Sequence, residues 1–502
     1  MLHATESKVY LVDGDSLQDV SDDKALFKQG TTRAVEGVTC FFGEEGSGRT
    51  QSLADQLRFI CKYHEDKVMP IATLIYRGSA AATFVAQTYH SLPVDKRHLV
   101  GHWVLTNSHD RAINIFDTKV GFKRPLSLHR YHLLTFLSKM LMPTEDEIGG
   151  KHISGIQTFL SNLVDRVYDL TQPDDAPIKK MYVRGYYADL DAVVADYDLL
   201  TANAMLTASD LAFALHSLGL EEEGIERERL WLARDQAHKQ AMPVLKDLFT
   251  VLDMWGADRI YTAKLPSGQS LPEHFRSKLK TAIATYPCFA YPTKLDISGS
   301  KVTALNLEHV LWQNTEVGKV LFMIAAHKIA VDKMGRDSLE ANLDLIELHP
   351  LYANYHSEQE KELLASKRLL ALDDLNFSDH AEILTQTARH RRKLGFSYIL
   401  STKKISDLEL VNKHNRLLGH VGIMRFFSSI DSDQQSIFSR YFHSNDDLMM
   451  DLIMIDADTY MTVALIEGVN GESLVKASRC KREPLLVTIQ RMLTKPRPQS
   501  DK

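Results

Sequence analysis

One octapeptide, Gly43-Glu44-Glu45-Gly46-Ser47-Gly48-Arg49-Thr50, constrains the fold of this 502-residue chain more than any other stretch. It has the G-x-x-x-x-G-K-[ST] spacing of a phosphate-binding loop, with Arg49 at the lysine position. The residues before it, Val38-Thr39-Cys40-Phe41-Phe42, read as a buried strand. After it, Leu53, Ala54, Leu57, Ile60 and Cys61 recur on one face of a helix. Strand, glycine loop and helix together aim backbone N–H groups and a positive helix end at an anion. A glycine turn joins strands to helices by chance as well, but here both flanks have the required pattern. The loop assigns Gly43, Gly46, Ser47, Gly48, Arg49 and Thr50 to phosphate binding, with the Thr50 hydroxyl available to a Mg²⁺ ion.

Composition narrows the class. Apolar residues make up 44% and charged residues 25%, as in ordinary globular proteins. The 59 basic and 65 acidic residues give a net charge of -6, which argues against a protein that coats nucleic acid. Cys40, Cys61, Cys288 and Cys480 are scattered, without metal-ligand spacing, and read as small apolar residues of a reducing compartment. The 21 histidines show no metal-site spacing either. The start, Met1 to Glu6, lacks the basic and apolar parts of a signal peptide. The longest apolar run, Val320 to Val331, is broken by His327 and Lys328. A cytoplasmic protein is the expectation, with membrane contact only through partners.

Along the chain, residues 1–35 are polar, with a short strand candidate at Val9 to Val12. Further strands are expected over Val68 to Tyr76, His98 to Leu105 and Lys301 to Leu307. Helices are expected over Leu126 to Met142 and Val317 to about Met334. Between about Gln172 and Gly256 the pattern is helical throughout. One helix there would be capped by Ser209 or Asp210 and ended by Gly219, and Glu221 to Glu223 read as a solvated helix start. Strands separated by helical patterns imply an α/β fold with a mainly parallel sheet. Met449 to Ile455 and Tyr460 to Ile466 read as a closing antiparallel pair. The expected organisation is a lead-in at 1–35, a core in two parts at 36–145 and 286–490, a helical insertion at 146–285 and a frayed tail at 491–502.

A second informative stretch is Arg368-Leu369-Leu370-Ala371-Leu372-Asp373-Asp374. An apolar strand running into an acidic turn is common by itself. Beside a phosphate loop it reads as the magnesium strand of a nucleotide hydrolase, with Asp373 on the ion and Asp374 orienting water. Asp379 and Glu382 then form a capping box for a helix that closes on Arg389-His390-Arg391-Arg392-Lys393 before Gly395. Cations suit a helix C-terminus, and this accounts for the cluster simply. The alternative is that Arg389 or Arg392 reaches a neighbouring subunit's nucleotide as an arginine finger.

With these residues in view, the chain resembles the IcmB/DotO/TraU ATPases of type IVB secretion and conjugation systems, relatives of the RecA-like type IV secretion ATPases. Four stretches carry the resemblance: the loop; Lys96 to Val100 with Ala112-Ile113-Asn114-Ile115-Phe116-Asp117-Thr118-Lys119-Val120-Gly121; Tyr286 to Asp296; and the acidic strand with Arg389, Arg392, Lys393 and Gly395. The middle two are the more specific, having no generic nucleotide-binding explanation. The resemblance covers the C-terminal, ATPase half of those longer proteins. It implies a RecA-like P-loop fold, ATP and Mg²⁺ as cofactors, and a cytoplasmic hexamer docked at the inner membrane. Its implied partners are other secretion ATPases and channel subunits, and a separate chain supplying the N-terminal half is compatible with it.

Four positions depart from the family pattern. Arg49 replaces lysine, and its planar fork is a poorer point donor between phosphates. Asp374 replaces glutamate, and Lys403 stands where a phosphate-sensing glutamine is usual. Tyr76-Arg77-Gly78 replaces an acidic turn. Asp374, Arg389, Arg392 and Lys403 are the candidate catalytic residues, and Thr50 and Asp373 the candidate metal ligands. The competing readings are a working ATPase subunit and a structural subunit that has kept the fold and lost hydrolysis. A DNA-pumping motor is weaker, because no basic stretch interleaved with aromatics is present.

Overall fold

In the computed structural model the described residues are 4–11, 38–62, 68–78, 80–144, 147, 155–172, 176–200, 206–297, 299–334, 348, 350–374, 381–408, 421–442, 446–455, 459–467 and 473–481. Asp379 of the expected capping box lies outside them. Their strands are β1 Ala4–Leu11, β2 Val38–Phe42, β3 Ile71–Tyr76, β4 Val100–Val104, β5 Val302–Asn306, β6 Arg368–Asp373, β7 Ser397–Thr402, β8 Val421–Phe426, β9 Thr459–Glu467 and β10 Ser473–Lys481. Two compact units are formed, one of 1–64, 72–92 and 368–502, the other of 65–71 and 93–367. Among the described residues no helix is long and apolar enough to cross a membrane.

The first unit is α/β, with strands in the order β1-β10-β9-β8-β2-β7-β6-β3. β8, β2, β7 and β6 pair in parallel, while β8-β9, β9-β10 and β10-β1 are antiparallel. β2 and β6 are buried along their whole length, as strands covered on both faces must be. β3 begins only after Pro70, which has no N–H to give a ladder. The helix Arg49–Ile60 lays Leu53 and Leu57 against the core, each at most 1% exposed. Burial of two leucines contributes about 2 kcal/mol each.

Several expectations need correction in this fold. Met449 to Ile455 is not a strand: Asp446–Ile453 is a helix, and the partner of β9 is β10. Its buried residues Leu448 and Leu452 stand four apart on one helical face, while Met450 between them is exposed. In the second unit, the helix Ala208–Glu221 is capped by the Thr207 side chain, which accepts from the Asp210 N–H at 3.1 Å, so neither Ser209 nor Asp210 is the cap. Gly219 lies inside that helix, under the Trp231 indole, and Glu223 rather than Glu221 precedes the next helix, Gly224–Ala241.

The second unit contains the parallel pair β4-β5 and a helical assembly. Its centre is an irregular segment, 114–122, which overlaps the first of the two passages, Ala112 to Gly121 and Tyr286 to Asp296, on which the resemblance rests. A buried segment outside helix and sheet must find partners for its backbone groups elsewhere, and here side chains supply them. His129 Nε2 lies 2.9 Å from the Ile115 carbonyl, the Tyr168 hydroxyl donates to Phe116 O at 2.6 Å, Lys328 Nζ donates to Asp117 O at 2.7 Å, and His356 Nε2 lies 2.8 Å from Val120 O. Each comes from a different helix: Ser127–Leu141, Ile156–Thr171, Glu316–Met334 and Pro350–Ala365. The second passage joins the first directly. The Asn114 N–H donates to Thr293 Oγ1 at 2.7 Å, and the Ile113 N–H to Cys288 O at 2.8 Å.

Gly121 completes this turn at φ 79°, with the Tyr352 ring 2.5 Å from where a Cβ would stand. Gly121→Ala is expected to cost about 2–4 kcal/mol through left-handed backbone strain and the ring clash. A denaturant midpoint within error of the native chain's would contradict this account of the turn.

Candidate phosphate-loop site

The loop sits where β2 ends, at the carboxyl edge of the parallel strands, with β8 on one side of β2 and β7 on the other. Chain connections diverge there, which leaves a crevice for ligands in open α/β sheets. Gly46 and Gly48 take φ 79° and 78°, left-handed values that glycine adopts without strain; Gly48 is also the N-cap of Arg49–Ile60. That helix has no side-chain cap and no acid among its own first-turn residues. The loop is tied to both neighbouring strands. The Gly43 N–H donates to Thr402 O at 3.3 Å, the Phe427 N–H to Phe42 O at 2.8 Å, and the Glu44 N–H to Ser428 Oγ at 3.3 Å.

One strand, β7, separates the loop strand from β6, so Asp373 is held across β7 from the loop. Asp373 is 3% exposed and stands in register with Ser401. Burial pushes its carboxyl up from the ordinary value, against the Ser401 hydroxyl, the Arg49 guanidinium and the Thr50 hydroxyl, which hold it down. Its Oδ1 is buried without a hydrogen bond, as is Ser47 Oγ. A buried, unmet carboxylate oxygen near the Thr50 hydroxyl is a hard-oxygen donor set, and it fits Mg²⁺ held by one carboxylate plus ligand phosphates. Among the described residues no group of three or more His, Cys, Asp or Glu forms a protein cage for a metal. Ser401 had no role in the sequence reading. The available signal was its position as a hydroxyl near the end of the strand that follows the acidic one.

The other candidates divide. Arg49 is 5% exposed and turns inward: one terminal nitrogen donates to Gly43 O at 2.7 Å and the other to Asp374 Oδ1 at 3.0 Å. Asp374 has a left-handed backbone, φ 54°, fixed by its N–H on Ser401 O at 3.2 Å. Lys403 forms an ion pair with Glu45 of the loop, and this pair lowers the Glu45 carboxyl below its ordinary value. Arg389 is exposed on the helix Ala381–Leu394, and the side chain of Arg392, on the same helix, lies outside the described residues. Cys40 and Cys61 are buried, which pushes both thiols up, Cys61 to about 12, so neither is a nucleophile.

No family model matches the sequence, and no curated protein matches it. Solved structures similar to the chain include VirB4 of Thermoanaerobacter pseudethanolicus, at 13% identity and TM-score 0.36, covering 72% of this chain and 93% of that one. Another is the bacterial conjugative coupling protein TrwBΔN70, at 10% identity and TM-score 0.33, covering 89% of this chain and 79% of the other. Plasmid coupling protein TrwB in complex with ADP and Mg²⁺ aligns at 10% identity and TM-score 0.34, covering 95% and 87% respectively.

Proposed function

We propose that the chain is a P-loop subunit of a type IVB secretion or conjugative transfer apparatus that binds Mg·ATP. The observation that carries this reading is the loop itself, with its left-handed glycines at the carboxyl edge of a parallel sheet and a buried aspartate with one unmet oxygen across one strand. The family passages support the transfer-system part, together with a RecA-like core in two parts, 36–145 and 286–490, around the 146–285 insertion. In this reading Gly46 and Gly48 present their N–H groups to the phosphates, Gly43 and Ser47 shape the loop through their own N–H bonds to Thr402 O and Glu44 O, and Thr50 and Asp373 would hold Mg²⁺. The ion, when bound, neutralises charge on the phosphates and draws them into line. Asp374 orients water, Lys403 and Arg49 answer phosphate charge, and Arg389 or Arg392 reaches a neighbouring nucleotide in a cytoplasmic hexamer at the inner membrane.

A specific observation favours the alternative, a subunit that has kept the fold without turnover. Arg49 and Asp374 are engaged with each other, so the two groups this chemistry calls on are also each other's partners. Binding and turnover of Mg·ATP by the purified chain, beside Arg49→Lys and Asp373→Ala, decide between the readings. A working subunit turns over, and Asp373→Ala lowers its rate on the order of 100-fold or more. Binding without turnover, partly restored by Arg49→Lys, selects the structural subunit. If Mg·ATP alters neither stability nor oligomeric state and is not bound, the nucleotide reading is wrong.

A further inference from the structure

We propose that Asp374 is the built-in counter-anion of the loop: it holds the Arg49 guanidinium inside the protein, and a nucleotide polyphosphate gains that guanidinium only by displacing it. The inference rests on the reading of the loop as a nucleotide site. It gives Asp374 a role in admission that is separate from the orientation of water.

Arg49 is the loop's principal cation, and in this structure it faces the loop's own foundations. Its fork spans Gly43 O at 2.7 Å and Asp374 Oδ1 at 3.0 Å, which ties the first residue of the loop to the end of the acidic strand. The two partners differ in freedom. The arginine side chain is 5% exposed and that of Asp374 35%, so the carboxylate stands at the solvent boundary, where it can be exchanged for another anion. The backbone of Asp374 does not share that freedom. It is kept at φ 54° by its N–H on Ser401 O, a conformation that strains an L-residue and persists where the surroundings over-determine it. A second pair repeats the arrangement at the rim, where Lys403 is bound by Glu45 of the loop. Both of these cations therefore already hold a carboxylate of the same chain. A ligand that needs a state populated only in part binds more weakly in proportion, and relieving the competitor restores the affinity.

The two roles for Asp374 predict opposite results. Loss of a water-orienting acid slows turnover and leaves binding unchanged; loss of a counter-anion tightens binding. The test measures Mg²⁺-dependent affinity of the full chain for a fluorescent ATP analogue, in the native form and in Asp374→Ala, Asp374→Asn and Arg49→Ala/Asp374→Ala. Asp374→Ala is expected to bind on the order of 10-fold tighter. Asp374→Asn, which keeps the acceptor and loses the charge, is expected between the two. In the double variant the gain disappears, because the guanidinium is gone. Equal or weaker binding by Asp374→Ala, with a native-like melting temperature, overturns the counter-anion role and leaves the nucleotide reading standing. If Asp374→Ala does not fold, the isosteric Asp374→Asn decides by the same criterion. If no form binds the analogue, the nucleotide reading falls and this inference falls with it.

Discussion

Asn114→Asp is expected to destabilise the second unit by about 3–5 kcal/mol, more than the truncation Asn114→Ala. The change is nearly isosteric, so the loss comes from polarity alone. Asn114 is 1% exposed, and its amide nitrogen donates to Asp117 Oδ1 at 2.7 Å and to Pro243 O at 2.8 Å, while its Oδ1 accepts the Phe116 N–H at 3.2 Å. A carboxylate there has no hydrogen to donate and faces two acceptors, one of them another carboxylate. Burial already pushes the Asp117 carboxyl up, so a second buried acid beside it is held neutral only by taking a proton from solvent. Alanine leaves a cavity and unmet groups, but no opposed charge. Urea midpoints for the three forms at neutral pH test the ordering. Equal midpoints for the aspartate and alanine variants would remove like-charge repulsion from the account, and a native-like midpoint for Asn114→Asp would remove the hub itself.

The same segment shows how far the sequence could be read. The strand, glycine loop and helix over 38–60 were legible because everything that marks them is local: glycines at fixed spacing, an apolar strand before, a 3.6-residue period after. The mainly parallel sheet followed from the same kind of signal, and β2, β5 and β6 lie close to where pattern and composition put them. The passage from Asn114 to Gly121 stood out in the sequence only through a resemblance, and its physical reason was not legible there. That reason is a set of bonds to His129, Tyr168, Lys328 and His356, side chains scattered over some two hundred residues, and no local period encodes them. His327 and Lys328 read only as interruptions of an apolar run, whereas Lys328 is the buried cation that holds Asp117 O. The engagement of Arg49 was hidden for the same reason, because Asp374 is 325 residues away. At Met449 to Ile455 the failure was of another kind. Nearly every residue is apolar, so neither period stands out, and only packing shows which of them face inward.

Acidification from pH 6.5 to about 4 is expected to remove on the order of 4 kcal/mol of stability from the second unit through His238 and His356. Burial is the main cause in both, lowering His238 to about 3 and His356 to about 4 from the ordinary 6.5. Neighbouring charge adds to it, since Arg234 opposes protonation of both rings. The folded state therefore prefers the neutral rings, and the unfolded chain binds more protons throughout this window. Stability from these two groups is complete above pH 6.5 and is lost as pH falls toward 4 for His356 and 3 for His238. Structure gives each loss a location. His238 Nε2 lies 3.2 Å from Thr118 Oγ1 and His356 Nε2 lies 2.8 Å from Val120 O, so both act on the turn that ends in Gly121. Asp117 works against them, because its raised carboxyl favours the folded state more as pH falls toward 3.8. His238→Gln keeps an amide able to bond Thr118 and removes the titration; combined with His356→Gln, it should flatten the urea midpoint against pH between 6.5 and 4. A double variant whose midpoint falls in parallel with the native chain's would place the acid sensitivity elsewhere. A flattened profile would establish that the turn is held by neutral imidazoles, so that the turn ending in Gly121 is also where acid first loosens the unit.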